Sequence, residues 1–134
     1  MPRRIPRKWV GVLSADEKAA IAVRCETFIR DELKPRFLPQ IRPTQFNYPV
    51  DLLGRWRSDK YSFIQRYRSG FAGNLGEEFN ATFARLDHRG DCLDMVRFDA
   101  MWPRHNGQYF CLHEKLTLDE ALEYIRTDGL LHPL

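Results

Sequence analysis

Six side chains of this sequence combine guanidinium, carboxylate, phenol and imidazole groups that could gather on one face of a predicted β-sheet. They are Arg66, Arg68, Arg97, Asp99, Tyr109 and His113. One hypothesis is a hydrolase-like or phosphoester-like site in which His113 is the general base and Asp99 orients its ring. Arg66 or Arg97 would then hold a negatively charged substrate. The alternatives are a solvated face with cross-strand charge pairs, or a face that a helix covers in part.

Other groups of reactive residues are less complete. Arg104 and His105 lie together in a predicted hairpin loop, where they could grip an anion or face solvent. The glycine-rich stretch 70–76 lacks the Lys and Ser/Thr of a phosphate-binding loop. The cysteines and histidines do not have the spacing of a metal site. We therefore expect no metal and no cofactor, and the sequence assigns no catalytic residue.

Two helices are predicted from capping boxes, in which a Ser or Thr is followed three residues later by Glu. Ser14 and Glu17 precede a helical apolar stripe, which predicts a helix from Ala15 to about Leu33 that Pro35 ends. Thr117 begins a second, shorter stripe, which closes at 128–129.

Between these helices, apolar and polar residues alternate as they do in β-strands. Four or five such stretches lie between residues 46 and 114, separated by short connections that contain glycine or proline. Connections this short leave no room for parallel crossovers, so the strands must be antiparallel. The predicted fold class is α+β, with an antiparallel sheet of four to five strands flanked by an N-terminal and a C-terminal helix.

The faces of the sheet follow from the assumed turns. A two-residue turn at 89–90 places Phe83 and Phe98 on the core face, with Ala84 and Leu86 on the opposite face. In the last hairpin, a two-residue turn at 106–107 would place His113 on the core face. A five-residue loop at 103–107 instead turns Tyr109, Cys111 and His113 outward, and we prefer it because it keeps the core face apolar.

The positive charge of the chain is concentrated at one end. The formal net charge is +3, yet residues 9–134 contain 17 basic and 18 acidic residues, a net charge of −1. We expect residues 1–13 to form a flexible basic arm and residues 14–134 a single domain. Nucleic-acid binding through the arm is an alternative function, but the body lacks the basic surface that such proteins carry.

The cellular setting is predicted from what the sequence contains. Three widely separated cysteines are typical of reduced core thiols in a cytosolic protein. No apolar run approaches the length of a membrane span, and none resembles an export signal. We therefore expect a cytoplasmic protein that does not bind membranes.

The leading hypothesis for function is a non-enzymatic cytosolic protein-interaction module. The candidate binding face joins the arginine, aspartate, tyrosine and histidine side chains named above to the hairpin pair 104–105. Arg and Tyr are residues that anchor interfaces, so the expected partner is another protein or a second copy of this chain.

Several segments of the chain resemble a small family of uncharacterised bacterial α+β proteins. The segments are FNYPVD (46–51), FIQRYRSGF (63–71), NLGEEF (74–79), RHNGQYFCL (104–112) and LTLDEAL (116–122). The resemblance covers about residues 15–134. It implies that 63–71 and the hairpin at 104–105 belong to one unit, and it implies no activity, cofactor or partner.

Overall fold

A five-stranded antiparallel sheet with helices on one face is the framework of the protein. The computed structural model describes residues 12–134, and its strands lie side by side in chain order. The strands are β1 (Asn47–Arg57), β2 (Lys60–Ser69), β3 (Glu78–His88), β4 (Phe98–Pro103) and β5 (Tyr109–Leu116). The helices are α1 (Ala15–Phe28), α2 (Lys34–Phe37) and α3 (Leu118–Thr127). The predicted α+β fold is confirmed.

The N-terminal helix begins at the predicted cap but does not end at the predicted proline. Ser14 and Glu17 form the reciprocal capping box. A π turn over Ile29–Leu33 then connects α1 directly to α2, with the backbone N–H of Lys34 bonded to the carbonyl of Ile29. This wider turn makes room for the ring of Pro35 near the start of α2, which corrects the expectation that the proline ends the helix.

The C-terminal helix α3 also starts at its predicted capping box. The Thr117 hydroxyl accepts a hydrogen bond from the backbone N–H of Glu120, whose carboxylate accepts one from the N–H of Thr117. One side of α3 buries Ala121, Leu122 and Ile125 against the sheet. The apolar stripe therefore decides which face of the sheet becomes the core.

The core lies between the helices and one face of the sheet, which we call the helix-covered face. Its largest buried side chains include Tyr61 and Phe63 of β2 and Phe98 of β4. Trp56 of β1 fastens α1 to this face, because its indole N–H donates to the carbonyl of Lys18 over 3.0 Å. The opposite face has no helix over it in the described part of the chain, and we call it the open face.

The pairing of β3 with β4 differs from the predicted register. Leu86 pairs with Ala100, and the connection is a long loop over 89–97 instead of a two-residue turn. A register shift in the β2–β3 ladder leaves Phe83 as an extra residue, so Phe83 and Ala84 are both buried. The prediction that Ala84 and Leu86 lie on the face opposite the core is therefore wrong.

The last hairpin has a five-residue loop, as predicted, but it lies at 104–108 and is followed by bulges. Pro103 pairs with Tyr109, so Tyr109 points outward as expected. Two register shifts then follow, and His113 lies opposite Ala100 on the helix-covered face. Each shift adds a residue to β5, which reverses the face of the side chains beyond it. The outward placement predicted for His113 is wrong.

Several other expectations concern the ends and thiols of the chain. Leu13 is buried in the core, while most of the predicted basic arm, residues 1–11, lies outside the described residues. Cys25 is a core thiol as expected, but Cys111 is exposed on β5. Within residues 12–134, no helix is long and apolar enough to cross a membrane.

His88 at the end of β3 is expected to make the stability of the protein pH-dependent. Its Nδ1 is buried without a hydrogen-bond partner in the described structure, and burial lowers its pKa below 6.5 against the opposing charge of Asp59. The unfolded chain therefore binds the extra proton first, so the unfolding free energy should fall as the pH drops below 6.5. Urea titrations at several pH values between 5 and 8 measure this slope, which should flatten in His88→Phe.

The matched control for His88 is His105→Gln, which removes an exposed imidazole at the hairpin tip. This variant should keep the wild-type slope. If His88→Phe and His105→Gln have the same pH dependence, burial of His88 does not contribute to it.

Candidate functional site

The structure brings together only part of the predicted binding face. Arg66, Arg68, Asp99 and Tyr109 lie on the open face, since they pair in register with outward positions of the neighbouring strands. Arg66 donates to Asn80 over 3.1 Å, and Arg68 donates to Glu78. The Glu78 hydrogen bond raises the pKa of Arg68. These are the cross-strand pairs expected of a solvated face.

Asp99 is occupied by structural contacts. One of its carboxylate oxygens accepts from Arg89 over 3.1 Å, and the other accepts from the backbone N–H of Lys115 over 3.0 Å. Lys115 has a φ of 56°, at the second register shift of β5. Asp99 therefore holds the bulge and the long 89–97 loop in place, and it does not orient His113.

His113 instead forms a cluster with the C-terminal helix. Its ring stacks on Tyr124 with 3.7 Å between the ring centroids, and its Nε2 lies 2.8 Å from a carboxylate oxygen of Asp128. The hydrogen bond with His113 lowers the pKa of Asp128. The predicted pair of His113 with Asp99 is not formed, because the two side chains lie on opposite faces of the sheet.

The remaining predicted residues lie near the sheet edges. Arg97 precedes β4, where it binds Asp94 and donates to the carbonyl of Lys115. Arg104 lies 4.9 Å from the ring of Phe110, and His105 is exposed at the hairpin tip. The five-residue loop therefore carries the positive charge of Arg104, but this side chain does not cluster with Arg66 and Arg68 of β2.

A cluster that the sequence interpretation did not select lies on the open face next to the β1–β2 turn. Two neighbouring rows of side chains cross β1, β2 and β3. Arg55, Ser62 and Arg85 form one row, and Arg57, Lys60 and Asp87 form the next. The small Ser62 stands between two arginines, which leaves a gap in the surface. We call this gap the arginine cavity.

The arginine cavity has a volume of about 130 Å³. Four of the side chains around it are cationic: Arg55, Arg57, Lys60 and Arg85. The others are Ser62, Ile64, Thr82 and Tyr109. No carboxylate or imidazole is among these described lining residues, so the cavity offers donors for an anion but no general base.

Arg85 is held rigidly at one wall of the cavity. Its side chain is 17% exposed and its Nε donates to Asp87 over 2.6 Å. Its guanidinium carbon lies 3.6 Å from the centroid of the Tyr109 ring, a cation–π contact. The two bonds to Asp87 use two of the five N–H donors, so the others can reach a ligand.

Of the four cations around the arginine cavity, Arg55 and Arg57 are the two that form no ion pair within the described residues. Within residues 12–134 neither forms an ion pair within 4.0 Å, and residues 1–11 contain no Asp or Glu. Both side chains are exposed. Their positive charge is therefore uncompensated by the carboxylates of the chain and available to an external anion.

The sequence contained a signal for this cluster. Arg55, Arg57, Lys60 and Ser62 alternate with apolar residues on both sides of 58–59, so a two-residue turn there places them on one face. The structure has this turn, with a φ of 56° at Ser58. The predicted site was built around His113 and Asp99 as reactive groups, and it did not include these arginines.

Comparison with known proteins defines the relationship of the chain but not its activity. The family described as "Domain of unknown function (DUF3024)" matches residues 13–133. The chain belongs to this family. No curated protein and no solved structure gives a significant match. The predicted resemblance to an uncharacterised family is confirmed, while its bacterial origin and cytoplasmic location stay predictions.

The extent of the DUF3024 match agrees with the structure. It starts at Leu13, the first buried residue of the described chain, and ends beyond α3. All five strands, the arginine cavity and the hairpin lie inside it. The family description assigns no function.

Proposed function

We propose that this DUF3024 protein is a non-enzymatic interaction module whose open face binds an acidic segment of another protein. The observation that carries the proposal is the pair of uncompensated guanidinium groups, Arg55 and Arg57, on a strand face that has no helix over it in the described chain. Uncompensated charge on one surface favours a partner of opposite charge and speeds its association.

The surroundings of this pair support a protein partner. Tyr109 and Met101 lie beside Arg85 on the open face, and Arg, Tyr and Met are enriched at protein interfaces. The alternation of Arg55 and Arg57 matches the two-residue period of an extended peptide. An extended segment with acidic residues at alternate positions therefore fits the open face.

The contacts of Tyr109 argue against single-stranded nucleic acid. Binding of this kind depends on open aromatic rings on which bases stack. The guanidinium of Arg85 already lies 3.6 Å above the Tyr109 ring and covers one side of it. A peptide needs only the charges and the edge of the ring.

The proposal predicts where an acidic peptide binds. A short peptide with Glu at alternate positions, titrated into ¹⁵N-labelled protein, should shift the amide signals of β1, β2 and β3 around the arginine cavity. Arg57→Glu should weaken this binding about tenfold, since it replaces an attraction with a repulsion. Arg24→Glu is the control, because Arg24 lies on α1 in an exposed pair with Asp119.

Three results would contradict the proposal. The first is a set of peptide shifts on the helix-covered side, and the second is an equal loss of binding in Arg57→Glu and Arg24→Glu. The third is tighter binding of a single-stranded oligonucleotide of the same charge, with the steep salt dependence of phosphate contacts. Sedimentation at increasing concentration tests a second copy of the chain as the partner, which would appear as a dimer that Arg57→Glu dissociates.

A further inference from the structure

We infer that the arginine cavity is a binding site for one phosphate monoester dianion. The inference rests on the proposed role of the open face, and it narrows the ligand of that face to a chemical group. In the proposed function, the group would be a phosphorylated side chain of the partner segment.

The charge around the cavity matches a dianion better than a single carboxylate. Lys60 is paired with Asp59 over 3.1 Å, and Arg85 is paired with Asp87 over 2.6 Å. Arg55 and Arg57 therefore contribute the two charges without partners. A phosphate monoester carries a charge of about −1.5 to −2 at pH 7.

The donors are arranged on three strands around one point. Arg55 and Arg85 stand on either side of Ser62, and Lys60 occupies the neighbouring row on β2. The hydroxyl groups of Ser62 and Thr82 add neutral donors to the lining. Phosphate has several acceptor oxygens, so it can use donors from different directions at once.

The shape of the cavity limits what enters it. Its volume is about 130 Å³, and a water molecule takes up about 30 Å³ of liquid. A phosphate group fits with a few waters, but the remainder of a larger ligand must lie outside, on the open face. The floor includes Ile64, which is 2% exposed, so the site does not extend into the core.

One wall of the site is organised before any ligand arrives. Asp87 and the ring of Tyr109 fix the guanidinium of Arg85, so little conformational entropy is lost when it binds an anion. The planar donor geometry of arginine also suits the oxygens of a phosphate group. Arg55 and Arg57 are exposed and can close on the ligand from the β1 side.

The experiment compares four probes by calorimetry: inorganic phosphate, free O-phosphoserine, a short peptide with one phosphoserine, and the same peptide with Glu in its place. The proteins are the wild type, Arg55→Gln with Arg57→Gln, and the control pair Arg24→Gln with Arg42→Gln. The control removes the same net charge from residues that do not line the cavity. Circular dichroism checks that all three proteins are folded.

We expect saturable binding of one phosphate group per chain. The Arg55/Arg57 double variant should bind the phosphopeptide about a hundredfold more weakly, or about tenfold for each guanidinium group removed from the phosphate. The control pair should stay within about twofold of the wild type, because distant exposed charges are screened. Binding should also weaken below pH 6, where the monoester becomes a monoanion.

The pH dependence belongs to the ligand because of the groups that face it. The groups that face the ligand are the cations Lys60, Arg55, Arg57 and Arg85, and the adjacent carboxylates are Asp59 and Asp87. A sulfate ester peptide, which does not titrate there, should bind with no such loss. Equal pH dependence for the phosphate and sulfate peptides would contradict the inference.

The four probes separate this inference from the proposed function. If the Glu peptide binds as tightly as the phosphopeptide, the inference is wrong and the proposed function stands. If free O-phosphoserine binds as tightly as the phosphopeptide, the phosphate site stands and its ligand is a small molecule, which contradicts the proposed protein partner. If no phosphate probe binds, or the Arg55/Arg57 variant binds as well as the wild type, the site does not exist.

Discussion

Replacing Gly54 with alanine is expected to lower the free energy of unfolding by about 3 kcal/mol, a large effect for one methyl group. A Cβ at this position of β1 would overlap the phenol oxygen of Tyr61 and lie 2.5 Å from its Cζ. Tyr61 cannot swing away, because its ring packs edge-on against Trp56 and Phe63, with 5.3 Å between centroids in each pair. Urea denaturation followed by tryptophan fluorescence measures the loss.

Gly73→Ala is the control for Gly54→Ala. A Cβ at Gly73 has no atom within 4 Å, so its effect should stay within about 0.5 kcal/mol. Tyr61→Phe removes a buried hydroxyl that has no hydrogen-bond partner in the described structure, so it should cost little and should reduce the penalty of Gly54→Ala. Equal stabilities for the two alanine variants would show that β1 shifts to accommodate the methyl group.

The helices were predictable because their signals are local. Ser14 with Glu17, and Thr117 with Glu120, lie within one turn of each other, and both capping boxes form as the sequence predicts. The prediction for Pro35 was wrong for a physical reason. How strongly a proline destabilises a helix depends on the backbone geometry of the helical turn that precedes it. The π turn over Ile29–Leu33 cannot be deduced from the presence of Pro35 alone.

The register of the sheet was harder to predict because bulges depend on tertiary packing. Nothing in the local sequence marks the register shift near Phe83 or those before and after His113, since none of these positions is a glycine. The stacking of His113 on Tyr124 brings together residues of β5 and α3 that local patterning treats separately. One inserted residue moves the side chains that follow it to the other face of the sheet, so His113 lies on the helix-covered face and not in the predicted site.

Of the residues around the arginine cavity, only Tyr109 was selected from the sequence. The outward face of Arg66, Asp99 and Tyr109 followed from alternation, and the structure places them there. Which arginines lack partners depends on the carboxylates around them. Arg85 forms an ion pair with Asp87 of the same strand. Arg55 pairs across the sheet with Ser62 and has no carboxylate partner in the described chain, and this difference between the two arginines is visible only in the three-dimensional structure.

Replacing Gln65 with leucine is expected to lower the free energy of unfolding by about 2 kcal/mol, although leucine is more hydrophobic. Gln65 is 3% exposed in β2 and has three hydrogen bonds. Its amide N–H donates to the carbonyl of Leu134, and its carbonyl accepts from the N–H of Leu134 and from the hydroxyl of Tyr67. Leucine can make none of these bonds. Urea denaturation measures the global loss, and hydrogen exchange over 129–134 measures the local one.

The expected loss of unfolding free energy has two sources: the hydrogen bond from the Tyr67 hydroxyl, and the two hydrogen bonds with the backbone of Leu134. Tyr67→Phe removes one of the three bonds and leaves Leu134 attached, so it should cost about 1 kcal/mol and leave exchange over 129–134 unchanged. Gln65→Leu releases Leu134, a residue that is already 99% exposed, so the freed backbone can hydrogen-bond to water. Exchange should then rise first next to Leu134 and least at the buried Leu131. If Gln65→Leu matches Tyr67→Phe in both measurements, the backbone bonds at Leu134 contribute nothing, and packing alone holds this segment against β2.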